Sequence, residues 1–454
     1  MTAGPGWLIL MLLLGLAWLI SCWHRCQPAQ PGCTAVLATA QRLLRPRTPD
    51  DCSACRQQTA RSTPHPHLSS PIRPWCEVKS RRGAPKRIAT QGFFCPRRTC
   101  VYYRITDAAV HALVGDGSHG TAQRIQTFRC QACGATFSAR RDTPLYRLKT
   151  PACRVGEVVT ALAEGLDIAA AGRVFGHRPA TITTWLTRAG EHSTALHQHW
   201  FQNLHLPHVQ LDELHTRLRR RAHTLWLWVA VDPRTKIIPV LQLGARTQET
   251  AHAVLHDLQQ KLAPGYIPVF TSDGLNLYFY ALTAHFGQWV GATGRRARQG
   301  HVAQGLIYGQ IRKRYRRKRL LGVTPVMCCG AAEDLHVALR NLGLSGRLNT
   351  AFVERVNLTI RQSVAALVRR TWSTAQTTPQ LRAHLEWWRA YYHFVRPHAS
   401  LRVALAQARA RGGRRQPQRY RQRTPAMAVG LTSRRWTVRE LLAVPLPSAP
   451  ISAS

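Results

Sequence analysis

The chain has 454 residues, with 63 Lys and Arg against 21 Asp and Glu and a formal net charge of +42. That length holds two or three domains with at least one sizeable core, and so many cations repel one another unless a polyanion neutralises them, which makes nucleic acid the first candidate partner. Thirteen Trp and a hydrophobic content of 45% exclude a largely disordered coating protein.

Thirteen Cys, an odd number with some at ligand-like spacing, point to a reducing compartment and away from a secreted disulfide framework. The first segment, residues 1–23, contains "WLILMLLLGLAWLISCW" from Trp7 to Trp23, uncharged and of about the minimum length for a bilayer span. It lacks the positive start and the cleavage site of a signal peptide. As a membrane anchor it would keep the basic body on the cytoplasmic side, because Lys and Arg follow it and none precede it. A start site placed too far upstream is the third reading. Residues 24–90, rich in Pro, Gln, Ser and Arg without periodicity, read as a linker. Within it Cys52 and Cys55, with Cys76, His65 or His67, form a weak candidate for a metal site.

From 91 to 150 the texture changes. "FFCPRRTCVYY" carries Cys95 and Cys100, and "FRCQACGATFS" carries Cys130 and Cys133. Four thiolates on two hairpins make a closed tetrahedral Zn²⁺ site that lets a segment too small to own a core fold. Four buried cysteines are the plainer alternative, and His119 in "GDGSHG" is a candidate substitute ligand. Residues 151–200 read as a helix-turn-helix: Asp167 is an N-cap, Gly176 ends the middle helix, and Pro179 opens the last. That last helix is expected to present Thr181, Thr184 and Arg188 outward, toward DNA, while Ile182 and Trp185 face its neighbours.

Residues 205–400 alternate strand and helix patterns. "HVQLDEL", "TLWLWVAVD" and "KIIPVLQLG" read as three successive strands, "QETAHAVLHDLQQKL" as an amphipathic helix, and "YIPVFTSDG" as a further strand ending on Asp273. Three antiparallel strands, a helix and a parallel strand open a ribonuclease-H-like fold, in which the first and fourth strands are neighbours and Asp212 and Asp273 emerge side by side. In "AFVERVNLTIRQSVAALVRR", Val353, Val356, Ile360, Val364 and Leu367 form one apolar helical stripe, and Glu354, Asn357 and Arg361 form a second beside it. Three converging carboxylates repel one another unless divalent cations sit between them. Oxygen ligands select Mg²⁺ or Mn²⁺, and two such ions roughly 4 Å apart serve phosphodiester displacement, with Arg361 neutralising the bound phosphate. Glu213, one residue past Asp212, is expected on the opposite face as a surface or supporting group, and Asp232 and Asp257 as turn and helix-surface residues. The alternative makes Asp212, Asp273 and Glu354 unrelated turn and surface acids. "IRKRYRRKRL" supplies Arg312, Lys313, Arg314, Arg316 and Arg317 around Tyr315, a cluster able to follow a phosphate backbone or to form a mobile loop. Residues 401–454 read as a solvated basic tail.

These motifs, "FRCQACGATFS", "AEGLDIAAAGRVFG", "LDEL", "SDG" and "FVERVNLTIRQ", resemble those of the DDE transposases of bacterial and archaeal insertion sequences, in particular the IS one group, over about residues 90–440. The resemblance implies an α/β chain: a ribonuclease-H-like mixed sheet preceded by a zinc ribbon and a helix-turn-helix that recognise terminal inverted repeats. It implies that Asp212, Asp273 and Glu354 cut the 3′ ends and join them to target DNA, with Arg361 as the basic residue after the Glu and His398 in "FVRPHASL" as a looser match. His215, after "LDEL", departs from the aromatic usual there. The expected activity is Mg²⁺-dependent strand transfer by a homo-oligomer at the nucleoid. The rival functions are a nuclease of the same fold that does not join ends and a non-catalytic regulator derived from a transposase.

Overall fold

The aromatic and sulfur side chains of residues 88–146 organise a segment with little other apolar sequence. In the computed structural model, which describes residues 72–78, 88–121, 123–218, 224–290, 301–302, 305–317, 319–369, 371, 373, 375, 377–409 and 417–446, this segment forms a three-stranded antiparallel sheet. Its strands, β1 (Leu113–His119), β2 (Ile125–Cys130) and β3 (Thr136–Ser138), stand in that order. Phe128 lies between Phe93 and Phe137, with ring centroids 4.4 and 5.8 Å away. Trp75, in the stretch expected to be linker, docks here instead: its ring meets Tyr102 edge-on and its indole N–H donates to Gln131 at 3.0 Å. Trp7–Trp23, Cys52, Cys55, His65 and His67 lie outside the described residues, all of which belong to one unit, Thr59–Ser454. No described helix is long and apolar enough to cross a membrane.

Three helices follow: α1 (Ala152–Ala163), α2 (Ile168–Phe175) and α3 (Pro179–Trp200). Asp167 caps α2 by accepting from the Ala170 N–H, Gly176 closes it in the left-handed conformation at φ 70°, and Pro179 occupies the first turn of α3, where no amide donor is needed. Helix α3 runs well beyond a short recognition helix. Its second half buries His192, Ser193, Leu196 and His197, so the three-helix segment is welded to the domain that follows.

The large sheet has six strands: β4 (His208–Thr216), β5 (Leu225–Val231), β6 (Val240–Gly244), β7 (Val269–Asp273), β8 (Tyr308–Arg316) and β9 (Arg319–Cys329), in the order β9-β8-β7-β4-β5-β6. β4, β5 and β6 pair antiparallel, β7 joins β4 in parallel, β8 joins β7 in parallel, and β9 closes the edge antiparallel. This mixed α/β arrangement is consistent with a ribonuclease-H-like core. The third strand is shorter than its apolar run: Lys236 takes φ 61°, Asp232 caps the turn, and Pro239 cannot donate to a ladder.

Period-two alternation gives the sheet two buried faces. Val209 and Leu211 of β4 and Trp228 and Ala230 of β5 pack with α4 (Gln248–Lys261) and α5 (Asn276–Phe286), whereas Leu214, Leu227, Val229 and Val231 pack with α7 (Ala351–Ser363) and α8 (Thr378–Ala390). Helix α6 (Ala332–Asn341) covers Val269 with Leu335 and Leu339. All five residues of the apolar stripe on α7 and its extension are buried on the second face.

The basic tail is only partly solvated. Strands β10 (Val403–Arg409) and β11 (Gln418–Arg421) form a hairpin of largely exposed residues. Trp436 is then buried against Phe394 and Trp200 at 4.8 and 5.4 Å, and Leu441 and Leu442 are enclosed beside it. An indole and two leucines recover more by burial than the neighbouring arginines lose by approaching the core.

Helices α3 and α8 cross at Gly190, where a β-carbon would sit 2.5 Å from the Cα of Ala383. Backbone on both sides leaves no flexible side chain to yield. Gly190→Ala is therefore expected to lower unfolding stability by about 2 kcal/mol, read as a shift of the urea midpoint; an unchanged midpoint would contradict this packing.

Candidate active site

The parallel register pairs Val209 with Phe270, Gln210 with Thr271 and Leu211 with Ser272, so the next residues on each strand, Asp212 and Asp273, face the same end of the sheet. Helix α7 is clamped above them. The buried Gln210 side chain donates to the Asn349 carbonyl at 2.7 Å and accepts the Val353 N–H at 3.0 Å, occupying a free donor in the first turn of the helix. One turn on, Asn357 Nδ2 donates to Asp212 Oδ2 at 2.7 Å. Glu354, between these contacts, is held by Lys313 at 2.5 Å and by the Thr350 hydroxyl at 3.2 Å.

Carboxylate oxygens of Asp212, Glu213 and Asp273 approach within 4.8 Å of one another. Of the two places expected for Glu213, surface or supporting group, the surface one fails: its side chain is 2% exposed, ion-paired with Arg246 and accepting the Tyr278 hydroxyl at 3.2 Å. The face it occupies is roofed by α5, which carries Tyr278, and where the pairing of β4 with β7 stops both adjacent acids can turn toward Asp273. Nothing local in "LDEL" announces this, because Arg246 and Tyr278 are far off in the chain. Glu354 stands outside the close group but lines both clefts that flank it. One, of about 740 Å³, is bordered by Asp212, Asp273, Arg246, Lys313, Tyr315 and Glu354. The other, of about 700 Å³, is bordered by Asp212, Glu354, Asn357, Arg361 and Arg369.

Burial, and then the charges of Asp273 and Glu213, push the Asp212 carboxyl up to about 7. Burial also raises Asp273, against the Leu275 N–H and Arg246, and raises Glu213, against Arg246. Desolvated oxygens in mutual repulsion fit a hard divalent cation. His398, the loosest of the matched residues, is half-buried and bonded to Ser400, and His215 packs edge-on against Trp226 at 5.2 Å.

The four cysteines also meet. Cys95 and Cys133 sulfurs are 3.5 Å apart, Cys100 and Cys130 sulfurs 3.8 Å apart, and all four lie within 4.8 Å. A tetrahedral ion with metal–sulfur bonds of roughly 2.3 Å needs sulfurs roughly 3.8 Å apart. Burial raises the Cys95 thiol and pushes Cys100 up to about 11; Cys133 is lowered despite its burial, by the Ala135 N–H and the neighbouring thiols. His119 bonds to Thr127 instead and is not in this group.

Of the residues expected to face DNA, Thr184 is exposed and Thr181 half-buried, but Arg188 donates to the Tyr146 carbonyl at 2.9 Å. The Cys-bearing segment packs on that side of α3 and takes up its guanidinium. Arg312, Lys313, Arg314 and Arg316 are exposed on β8, and Arg317 turns into β9, so the basic cluster is a paired ribbon and not a loose loop.

Because folding raises Asp212 from its ordinary 3.8 to about 7, the folded chain keeps a proton that the unfolded chain has lost between those values. Metal-free stability is expected to fall as pH rises from about 4 to about 7, and Asp212→Asn to flatten that slope in thermal melts. A slope unaltered by the substitution would contradict the assigned environment.

Two comparisons bear on this geometry. No curated protein matches the chain. Residues 347–404, which carry Glu354, Asn357, Arg361 and His398, match the integrase core domain family, so the helix roofing the acidic cleft is similar to part of a transposase- or integrase-type domain that processes DNA.

Proposed function

We propose that the chain is an insertion-sequence transposase that cleaves DNA at element ends and transfers the freed 3′-hydroxyl to target DNA. The observation that carries this reading is the convergence of Asp212, Asp273 and Glu354, from β4, β7 and α7, on a cleft edged with Lys and Arg, within a chain whose α7 matches an integrase core. When bound, Mg²⁺ or Mn²⁺ supplies Lewis acidity at the attacking and leaving oxygens of a phosphodiester. Asp212, Asp273 and Glu354 would hold it. Asn357 fixes the rotamer of Asp212, and Gln210 fixes the distance of α7 from β4. Lys313 pairs with Glu354, and a cation taken by that carboxylate would compete with this pair. Arg361 meets the phosphate from the second cleft. These residues work by positioning and charge, which is most of what phosphoryl transfer asks of a protein.

The remaining parts fit the same reading. A Zn²⁺ ion held by Cys95, Cys100, Cys130 and Cys133 would make residues 91–150 a zinc ribbon. With the helix-turn-helix of residues 151–200, carrying Thr181 and Thr184, it would recognise the terminal inverted repeats. Residues 205–400 form the catalytic domain. The enzyme acts as a homo-oligomer, since two ends must be processed together, and works at the nucleoid.

Asp273→Asn is expected to abolish Mg²⁺-dependent cutting while leaving DNA affinity within about twofold, because phosphate contacts elsewhere set the affinity. In a strand-transfer assay with a pre-cut end, the wild type should give joined products; cutting without joining would favour a nuclease, and cutting by Asp273→Asn would defeat the site assignment. Stripping Zn²⁺ with a strong chelator is expected to make the four clustered thiols reactive to a thiol reagent and to unfold residues 91–150. Thiols that react equally with and without the chelator would refute the zinc centre.

A further inference from the structure

Beyond Ile311, β8 leaves its parallel partner β7 and continues with β9 alone as a two-stranded ribbon. Alternation sorts its side chains. Arg312 bonds to Gln310 on the face toward α5, and Arg314 and Arg316 share that face; Lys313 bonds to Glu354 on the face toward α7, and Tyr315 shares that one. Across the ribbon Lys313 pairs with Val323, and past an irregularity that skips Leu321 on β9 Tyr315 pairs with Leu320. One face is therefore arginine and the other is an aromatic ring framed by apolar side chains and a lysine. Tyr315 is 58% exposed, Val323 50% and Leu320 48%, a costly display to water unless something flat and apolar covers it. Tyr315 also lines the 740 Å³ cleft with Asp212, Asp273 and Glu354.

We infer that Tyr315 is the stacking platform for an unpaired nucleotide next to the phosphate under attack, its base lying on the Tyr315 ring between Leu320 and Val323 and its backbone running past Lys313. An aromatic ring beside cations suits a single-stranded nucleotide, because every base offers a π face and every linkage a negative charge. A paired base would keep its faces inside the helix, so the site prefers a frayed or tailed end to a blunt duplex. The Arg312, Arg314 and Arg316 face is left to follow duplex backbone. The inference rests on the acidic cleft being where a DNA strand is cut.

The test uses the full chain and a short hairpin duplex with an unpaired 3′ tail bearing 2-aminopurine, compared with the same hairpin blunt-ended. Wild type and Tyr315→Phe are expected to quench the 2-aminopurine and to prefer the tailed DNA, and Tyr315→Ala to lose the quench and roughly tenfold in tailed-end affinity while binding the blunt hairpin as before. Equal quenching by Tyr315→Ala, or an equal loss of affinity for both hairpins, would overturn the stacking site. Cleavage is read separately: wild type that cuts while Tyr315→Ala quenches normally refutes the platform alone. Wild type that quenches through Tyr315 but never cuts with Mg²⁺ refutes the catalytic reading alone.

Discussion

The parallel pairing of β4 with β7 is the constraint on which the site depends. It brings two aspartates to one end of a sheet whose faces are already buried, and the next residue of β4 adds Glu213. At separations under 4.8 Å and an effective dielectric of about 20, each pair of full charges would repel by roughly 4 kcal/mol. The molecule relieves this with Arg246 on Glu213 and with a proton on Asp212 near neutral pH. A bound cation would relieve it as well, so the same crowding that weakens the metal-free fold makes a hard ion welcome.

Around this acidic centre the positive charge is distributed and not concentrated. Lys313 and Arg246 sit close enough to pair with the acids, Arg361 and Arg369 edge the second cleft, and the β8–β9 ribbon carries its arginines outward. A polyanion drawn to the surface is thereby met by cations along its path and by carboxylates only at the cleft, where a divalent ion reverses the local sign. Rigidity comes from hydrogen bonds of two side-chain amides: Gln210 ties α7 to β4, and Asn357 ties it to Asp212. The Gln210 contacts do not change with pH, whereas the Asn357 contact falls on the carboxylate that titrates near neutral pH, so the tie between α7 and Asp212 is strongest when Asp212 is ionised.

Much of this was legible in the residues. Alternating β-branched and aromatic runs gave the strands, Asp167, Gly176 and Pro179 gave the helix ends, and the order of elements gave the adjacency of β4 and β7. The 3.6-residue stripes of α7 placed its apolar side inward and Glu354 and Asn357 beside it. What escaped is set by tertiary contact. Glu213 reads as either a surface or a supporting acid until Arg246 and Tyr278 are folded against it. Arg188 looks free until the Tyr146 carbonyl arrives. The tail reads as solvated because Arg and Gln recur through it, yet Trp436, Leu441 and Leu442 fix it to α3 and to the segment after α8. Lys313 reads as one more cation in a basic run, and only the strand register turns it toward Glu354.

The central claim is that acids far apart in the chain form one cation site, and crystals of the full chain soaked in Mn²⁺ test it most directly. The expected result is an anomalous peak bridging the carboxylates of Asp212 and Asp273, with Glu354 released from Lys313 and turned toward it. Saturating Mn²⁺ that leaves this cleft without a peak, with Glu354 still paired to Lys313, would contradict the account.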